Sequence, residues 1–237
     1  MVEVASRRAQ VRAATVADIK SVARRLLVDG GAGAISLRAV ARELGLSAPA
    51  LYRYFGSLEE LVTTLIVDLY DELTVAITVA RDAVPEDDLS GRLYAVAREM
   101  RAWAITHPAE FELMFAAPVP DLLRTAPEEL TECHQAGMRF GAVFKELLAR
   151  LWRRQPFPVP PDEHLGPELT QQFTVDAGFF EGIPPGAVYV TLTYWTRLYG
   201  LICMEVFGQL HWALQEVEPY FETQLCEMAD SLGLERR

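Results

Sequence analysis

Between Gly45 and Gly56 the chain reads GLSAPALYRYFG, a stretch that concentrates groups able to do chemistry. Arg53 offers a planar guanidinium, Tyr52 and Tyr54 offer phenolic hydroxyls, and Ser47 stands where a short helix would leave its first amides free. These are hydrogen-bond donors fitted to phosphate oxygens and base edges, and no group beside them is placed to activate a nucleophile. Ala48 and Ala50 are small enough for the backbone to come close to a flat partner, with Pro49 between them. Leu51 and Phe55 lie four residues apart, on the inward face of the same short helix. Arg38, at the start of the preceding helix, is a further donor whose natural target in a groove is a guanine.

Other reactive side chains are poorly placed for catalysis. Glu132, Cys133 and His134 are consecutive, so a helix fans them in different directions and they make a poor metal site. Glu86, Asp87 and Asp88 follow Pro85 and read as a solvated loop and helix cap. There is no glycine-rich phosphate loop, no G-x-S-x-G elbow and no H-E-x-x-H. The expectation is a protein that is not an enzyme and uses neither metal nor cofactor. Cys133, Cys203 and Cys226 are odd in number and unpatterned, which suits core thiols in a reducing cytoplasm. Arg7 and Arg8 are followed by no apolar run, so no signal peptide is expected. Residues 188–210 are interrupted by Arg197 and Glu205, so no membrane partner is expected either.

The formal charge of −11 argues at first against a polyanionic partner. Its distribution reverses that impression: residues 1–56 hold nine basic groups against four acidic ones, so the remaining chain carries −16. A basic end on an acidic body orients that end toward polyanions.

The elements that must position these groups are helices. Thr15 and Asp18 suggest a cap, opening a run in which Ile19, Val22, Ala23, Leu26 and Leu27 share one face until Gly30. Ser36 caps a second, short helix striped by Leu37, Val40, Ala41 and Leu44, and Gly45 ends it. The GLSAPALYRYFG helix is the third. Ser57 and Glu60 form a capping box for a fourth that runs to Pro85. Longer helices are expected at 88–105, 108–116, 126–154, 167–181, 187–210 and 213–232, with breaks at Pro108, 117–120, 156–166 and 183–186. No β-alternating run occurs, so the fold class is all-α. A glycine-containing turn between two short helices is a helix-turn-helix connection, whose second helix enters the DNA major groove.

The segment SLRAVARELGLSAPALYRYFGSLEEL, with VADIKSVARRLLVDGGAGA upstream, closely resembles the DNA-binding domain of the TetR family of bacterial regulators. The likeness covers about residues 15–65. It implies an N-terminal three-helix helix-turn-helix domain followed by a larger helical ligand-binding and dimerisation domain, divided here as 1–60 (arm 1–14, motif about 36–55) and 61–237. It further implies a homodimer that binds a double-stranded DNA operator and a small-molecule effector. By the family pattern Arg38, Ser47, Ala48, Pro49, Ala50, Tyr52, Arg53 and Tyr54 face DNA. The family usually has a phosphate-binding lysine at the start of the fourth helix. Here that place is Leu58, beside Glu59 and Glu60, a loss that Arg7, Arg8 and Arg12 of the arm would offset.

In the C-terminal body, Val188, Leu192, Trp195, Tyr199, Ile202 and Val206 are spaced as an a/d seam. With Phe221, Leu225 and Met228 of the last helix they form the expected dimer interface, a four-helix arrangement typical of the family. HPAEFELMFAAPVP (107–120) and WTRLYGLICMEVFGQL (195–210) resemble a C-terminal domain common among actinobacterial members, which often has His-Gly where this chain has Tyr199-Gly200. Trp103, His107, Phe111, Met114, Phe115, His134, Met138 and Tyr194, with Cys133 and Phe140 near them in sequence, are the expected lining of a pocket for a largely apolar effector. The expected function is that of a sequence-specific DNA-binding regulator, a repressor released from its operator by that effector. The alternative is a helical ligand- or partner-binding protein with a weak or vestigial DNA-binding motif.

Overall fold

The computed structural model describes residues 2–115, 131–175 and 182–237; the expected break at 117–120, the start of the 126–154 helix and the end of the 167–181 helix lie outside the described residues. Among the described residues there are helices and turns and no strand. The helices are α1 (Val2–Gly30), α2 (Leu37–Glu43), α3 (Ala48–Leu51), α4 (Leu58–Asp82), α5 (Leu89–Thr106) and α6 (Pro108–Phe115). They continue as α7 (Glu132–Arg154), α8 (Asp162–Leu165), α9 (Pro167–Val175), α10 (Pro185–Val206) and α11 (Glu218–Ser231). No helix among the described residues is long and apolar enough to cross a membrane. The chain forms two compact units, residues 1–72 with 107–138 and residues 73–106 with 139–237, so α4 and α7 each contribute to both.

The first unit is built on the apolar faces that periodicity marks out. Ile19, Val22, Ala23 and Leu27 of α1, Leu37, Val40 and Ala41 of α2, and Leu61, Leu65, Ile66 and Leu69 of α4 are buried. One boundary differs from the sequence reading. α1 begins at Val2 instead of Thr15, because no glycine or proline interrupts the helix formers of the intervening stretch. Thr15 takes a mid-helix role, its hydroxyl donating to the Val11 carbonyl at 2.9 Å. The Ser57 cap forms as expected: Glu60 N donates to Ser57 Oγ at 3.0 Å, and the Glu60 carboxylate turns back to accept from Gly56 N at 2.6 Å.

An ionic clamp ties three helices of this unit. The Arg24 guanidinium of α1 donates to both carboxylate oxygens of Glu72 on α4, at 2.6 and 3.0 Å, and to Glu110 Oε1 on α6 at 3.0 Å. Hydrogen bonding to Glu72, partly offset by burial and reinforced by Glu110, raises the Arg24 pKa. Glu110 is buried, and Arg24 is the cation that faces its carboxylate.

The second unit packs α10 against α5, α8, α9 and α11. Its core includes an aromatic cluster in which Trp195 meets Phe140 and Phe144 edge-on, with centroids at 5.7 and 5.4 Å, and stacks on Tyr199. The proline-rich 156–161 segment comes so close to α10 that a Cβ on Gly186 would lie 2.8 Å from the Pro160 carbonyl. The short α8 in this region has no counterpart in the sequence reading, since a single turn carries too little periodicity to register.

Replacing Arg24 by Met is expected to lower the unfolding free energy by about 2–3 kcal/mol. That is less than the ~3–5 kcal/mol of a fully buried pair, because 31% of the Arg24 side chain stays in water. Urea denaturation would measure the loss, and adding Glu110→Gln to Arg24→Met should restore part of it.

Candidate nucleic-acid interface

Two backbone devices set the angle between α2 and α3. Ser36 Oγ accepts from Ala39 N at 3.1 Å and fixes the start of α2. Its end closes in a Schellman turn, with Gly45 N on the Arg42 carbonyl at 3.2 Å and Leu46 N on the Ala41 carbonyl at 2.9 Å. Gly45 has φ +64°, the left-handed conformation that a side chain would strain. α3 follows at once with Ser47 as its N-cap residue and Pro49 in its first turn, where a missing amide costs nothing. The Ser47 side chain makes no capping hydrogen bond, contrary to the role its type suggests. Regular α-helix covers only Ala48–Leu51, and Tyr54 N and Phe55 N then bond to the Leu51 carbonyl, carrying the turn to Phe55.

Leu51 and Phe55 are buried and anchor this turn. The eight residues singled out for a groove all reach the surface: Arg38, Ser47, Pro49 and Arg53 are exposed, Tyr52 is 54% exposed, and Ala48, Ala50 and Tyr54 are half-buried. The structure adds a neighbour that periodicity did not supply. Arg12, on the exposed early turns of α1, donates to the Arg53 carbonyl at 3.3 Å and holds its guanidinium 5.2 Å from the Tyr54 ring centre. Arg7, Arg8, Val11, Arg12 and Tyr54 line an open hollow of about 400 Å³ beside α3. The sequence signal for Arg12 was basic composition alone, since its helix was expected to begin after it.

The electrostatics separate the two units. Arg7, Arg8, Arg12, Arg38, Arg42 and Arg53 have no carboxylate partner among the described residues. In the second unit, arginines are widely neutralised: Arg98 by Glu222 at 2.7 Å, Arg101 by Glu205 at 2.7 Å, Arg150 by Glu86 at 3.0 Å, and Arg197 by Glu227. Unspent positive charge therefore gathers on the surface that carries α3. At the start of α4, Leu58 is 39% exposed and Glu59 is exposed, while Glu60 is drawn back into the cap on Gly56.

The residues expected to line an effector pocket divide between the units. His107, Phe111, Met114, Phe115, His134 and Met138 belong to the first, and Trp103 and Tyr194 to the second. In the first, Phe111 and Phe115 pack with centroids at 4.7 Å and Tyr70 meets Phe115 edge-on at 5.5 Å. Burial pushes the Tyr70 phenol up to about 12 and the Cys133 thiol up to about 11. Met138 is 46% exposed and so does not sit in an interior lining. In the second, Trp103 and Tyr194 are buried, and the Tyr194 hydroxyl has no hydrogen-bond partner among the described residues.

The residues of the expected dimer seam divide by burial. Val188, Ile202, Phe221, Leu225 and Met228 are buried inside the subunit. Leu192, Trp195, Tyr199 and Val206 are half-buried, the two aromatics engaged in the cluster with Phe140 and Phe144. The face of α10 that points to solvent runs through Tyr189, Thr193, Thr196, Gly200, Cys203 and Phe207, each one residue after the expected position. One residue is a rotation of about 100° on an α-helix. The most apolar stripe turned inward, and a less apolar one was left outside.

Known proteins resemble this chain over both units. Residues 19–65 match the family described as "Bacterial regulatory proteins, tetR family", and residues 93–228 match "Tetracyclin repressor-like, C-terminal domain". The HTH-type transcriptional regulator Rv1816 of Mycobacterium tuberculosis is 35% identical over 213 residues, 86% of this chain and 85% of that protein. The crystal structure of regulatory protein SCO4313 superposes with a TM-score of 0.71 at 27% identity, covering 93% of this chain and 98% of the other. RolR, crystallised with resorcinol, shares the fold at a TM-score of 0.57 and 15% identity, over 96% and 92% of the two chains. Of these, Rv1816 is a regulator of transcription.

Arg12→Ala is expected to weaken binding to a mixed-sequence duplex and to reduce the slope of log affinity against log salt by about one. Fluorescence anisotropy across a salt series measures both.

Proposed function

Because the chain belongs to the TetR family of bacterial transcriptional regulators, we propose that it is a repressor that binds its operator as a homodimer and is released by a small, largely apolar effector. The observation that carries the DNA-facing part is the set of arginines around α3 that lack carboxylate partners among the described residues, in a protein whose net charge is −11. In this reading α3 enters the major groove. Ala48 and Ala50 allow close approach, Tyr52 and Tyr54 reach phosphates, and Arg38 and Arg53 reach phosphate or base edges. Arg7, Arg8 and Arg12 supply the backbone contact that Leu58 does not. Two subunits place their α3 helices about 34–36 Å apart, or a multiple of that spacing.

Release requires an effector that favours a second conformation, since a ligand that binds both states equally shifts nothing. α4 is the element fitted to carry that change. Its capped end adjoins the closing turn after α3, and the same uninterrupted helix continues to Asp82 in the second unit. The Arg24 clamp makes α1 and α6 follow α4. Support for an effector with a polar handle comes from the buried Tyr194 hydroxyl, which lacks a partner among the described residues. Such a group costs about 1–3 kcal/mol when left unmade, which a ligand hydroxyl or carbonyl would recover.

Selection of bound duplexes from a random pool tests the reading, and the regulator should enrich one two-fold symmetric sequence. Against that sequence Arg53→Ala and Tyr54→Ala should each lose about 1–3 kcal/mol, some tenfold or more in affinity, with unfolding midpoints unchanged. Wild-type binding by both variants would remove α3 from the groove. No enrichment at all would remove sequence-specific DNA binding.

A further inference from the structure

A hollow of about 390 Å³ lies between the first half of α10, the last turn of α11 and the proline-rich 156–161 segment. Pro158, Tyr189, Val190 and Met228 give it an apolar lining. The proline-rich wall is firmly seated. Phe157 is buried and meets Trp152 edge-on, with centroids at 5.1 Å. Just beyond it the chain closes on α10 so tightly that a Cβ at Gly186 would lie 3.0 Å from Val159 Cβ. Proline rings fix φ along this wall, so little freedom remains to be lost when a guest arrives.

Most polar groups of the lining are already engaged. Thr193 Oγ1 donates to the Tyr189 carbonyl at 2.9 Å, and Ser231 Oγ donates to the Met228 carbonyl at 2.7 Å. Arg197 donates to Gln224 at 2.7 Å and to Glu227, and Asp230 accepts from Arg236 at 3.0 Å. The two charged groups of the lining, Arg197 and Asp230, are thus opposite in sign and each is matched by a partner. Tyr194 differs. It belongs to the lining, it is 5% exposed, and its hydroxyl has no partner among the described residues. Burial pushes its phenol well above the ordinary tyrosine range, so the hydroxyl keeps its proton and remains a donor.

We propose that this hollow takes a neutral, largely apolar molecule bearing a carbonyl group, whose oxygen accepts from the Tyr194 hydroxyl. Buried donors are left unmet more rarely than acceptors, so the guest must bring an acceptor. An ionised guest would shed its water beside guanidinium and carboxylate groups that are already paired, whereas a ketone or ester loses far less. The volume falls within the roughly 300–1,000 Å³ of small-molecule sites. Solvent does not reach the Tyr194 hydroxyl, so the guest must part the lining to meet it. Met228, unbranched and flexible, is the lining side chain most able to give way.

This inference rests on the effector reading and gives the effector a place and a chemical class. Benzophenone is the probe, because near-ultraviolet light makes its carbonyl add to an adjacent C–H bond. Mass spectrometry of the irradiated protein should find the label on residues 158, 189–197 or 228–231. Tyr194→Phe should raise the benzophenone concentration for half-maximal labelling about tenfold, with the unfolding midpoint unchanged or higher. Diphenylmethane, of similar shape without the carbonyl, should compete poorly on the wild type, and the gap between the two compounds should close on Tyr194→Phe. No label in the hollow overturns the site and leaves the effector reading standing. A label there that Tyr194→Phe does not weaken overturns the carbonyl contact. Binding in the hollow that leaves affinity for the selected duplex unchanged keeps the site and removes it from effector control.

Discussion

A helix of one turn cannot hold itself together in water, because nucleation costs more than its few hydrogen bonds return. α3 is such a helix, and its surroundings replace what it lacks. The Schellman turn at Gly45 fixes where it starts, Leu51 and Phe55 bury its inner face, and the Ser57 cap begins the next helix immediately after its closing glycine. Arg12 holds its far end through the Arg53 carbonyl and the Tyr54 ring. The outer face is left free of structural duty, and that is where donors can be spent on a partner.

Charge is allocated by the same logic. The second unit is acidic, and carboxylates neutralise many of its arginines. Around α3 the guanidinium groups lie exposed without such partners among the described residues. Repulsion among like charges costs little in high-dielectric surroundings and is repaid where a polyanion releases its counterions. Glu60, which would oppose phosphate, is folded back onto Gly56 and serves the helix end instead.

The same economy links helices that are distant in sequence. Arg24 satisfies a buried carboxylate on α6 while gripping α4, so α1, α4 and α6 shift together or break an ion pair. α4 and α7 each contribute residues to both units.

Much was legible in the sequence because it depends on neighbours along the chain. The longer helices, the Ser36 and Ser57 caps, the Gly45 turn and the Leu51 and Phe55 anchors follow from local periodicity and residue type, and the family from the resemblance that this stretch carries. What required the tertiary structure were choices among faces and partners. Thr15 read as a cap only while the helix before it was unseen. Val188, Ile202 and Phe221 read as an interface by apolarity, yet packing inside the subunit claimed the most apolar stripe of α10 and turned the next one outward. Arg12 against Tyr54 and Arg24 between Glu72 and Glu110 lie tens of residues from what they touch. The sequence by itself determined most of the helices and the caps and turns around α3, because backbone hydrogen bonds and caps act within a few residues. Only the tertiary structure decided which apolar face is core and which arginine has a partner, because burial and ion pairing depend on what the folded chain brings alongside.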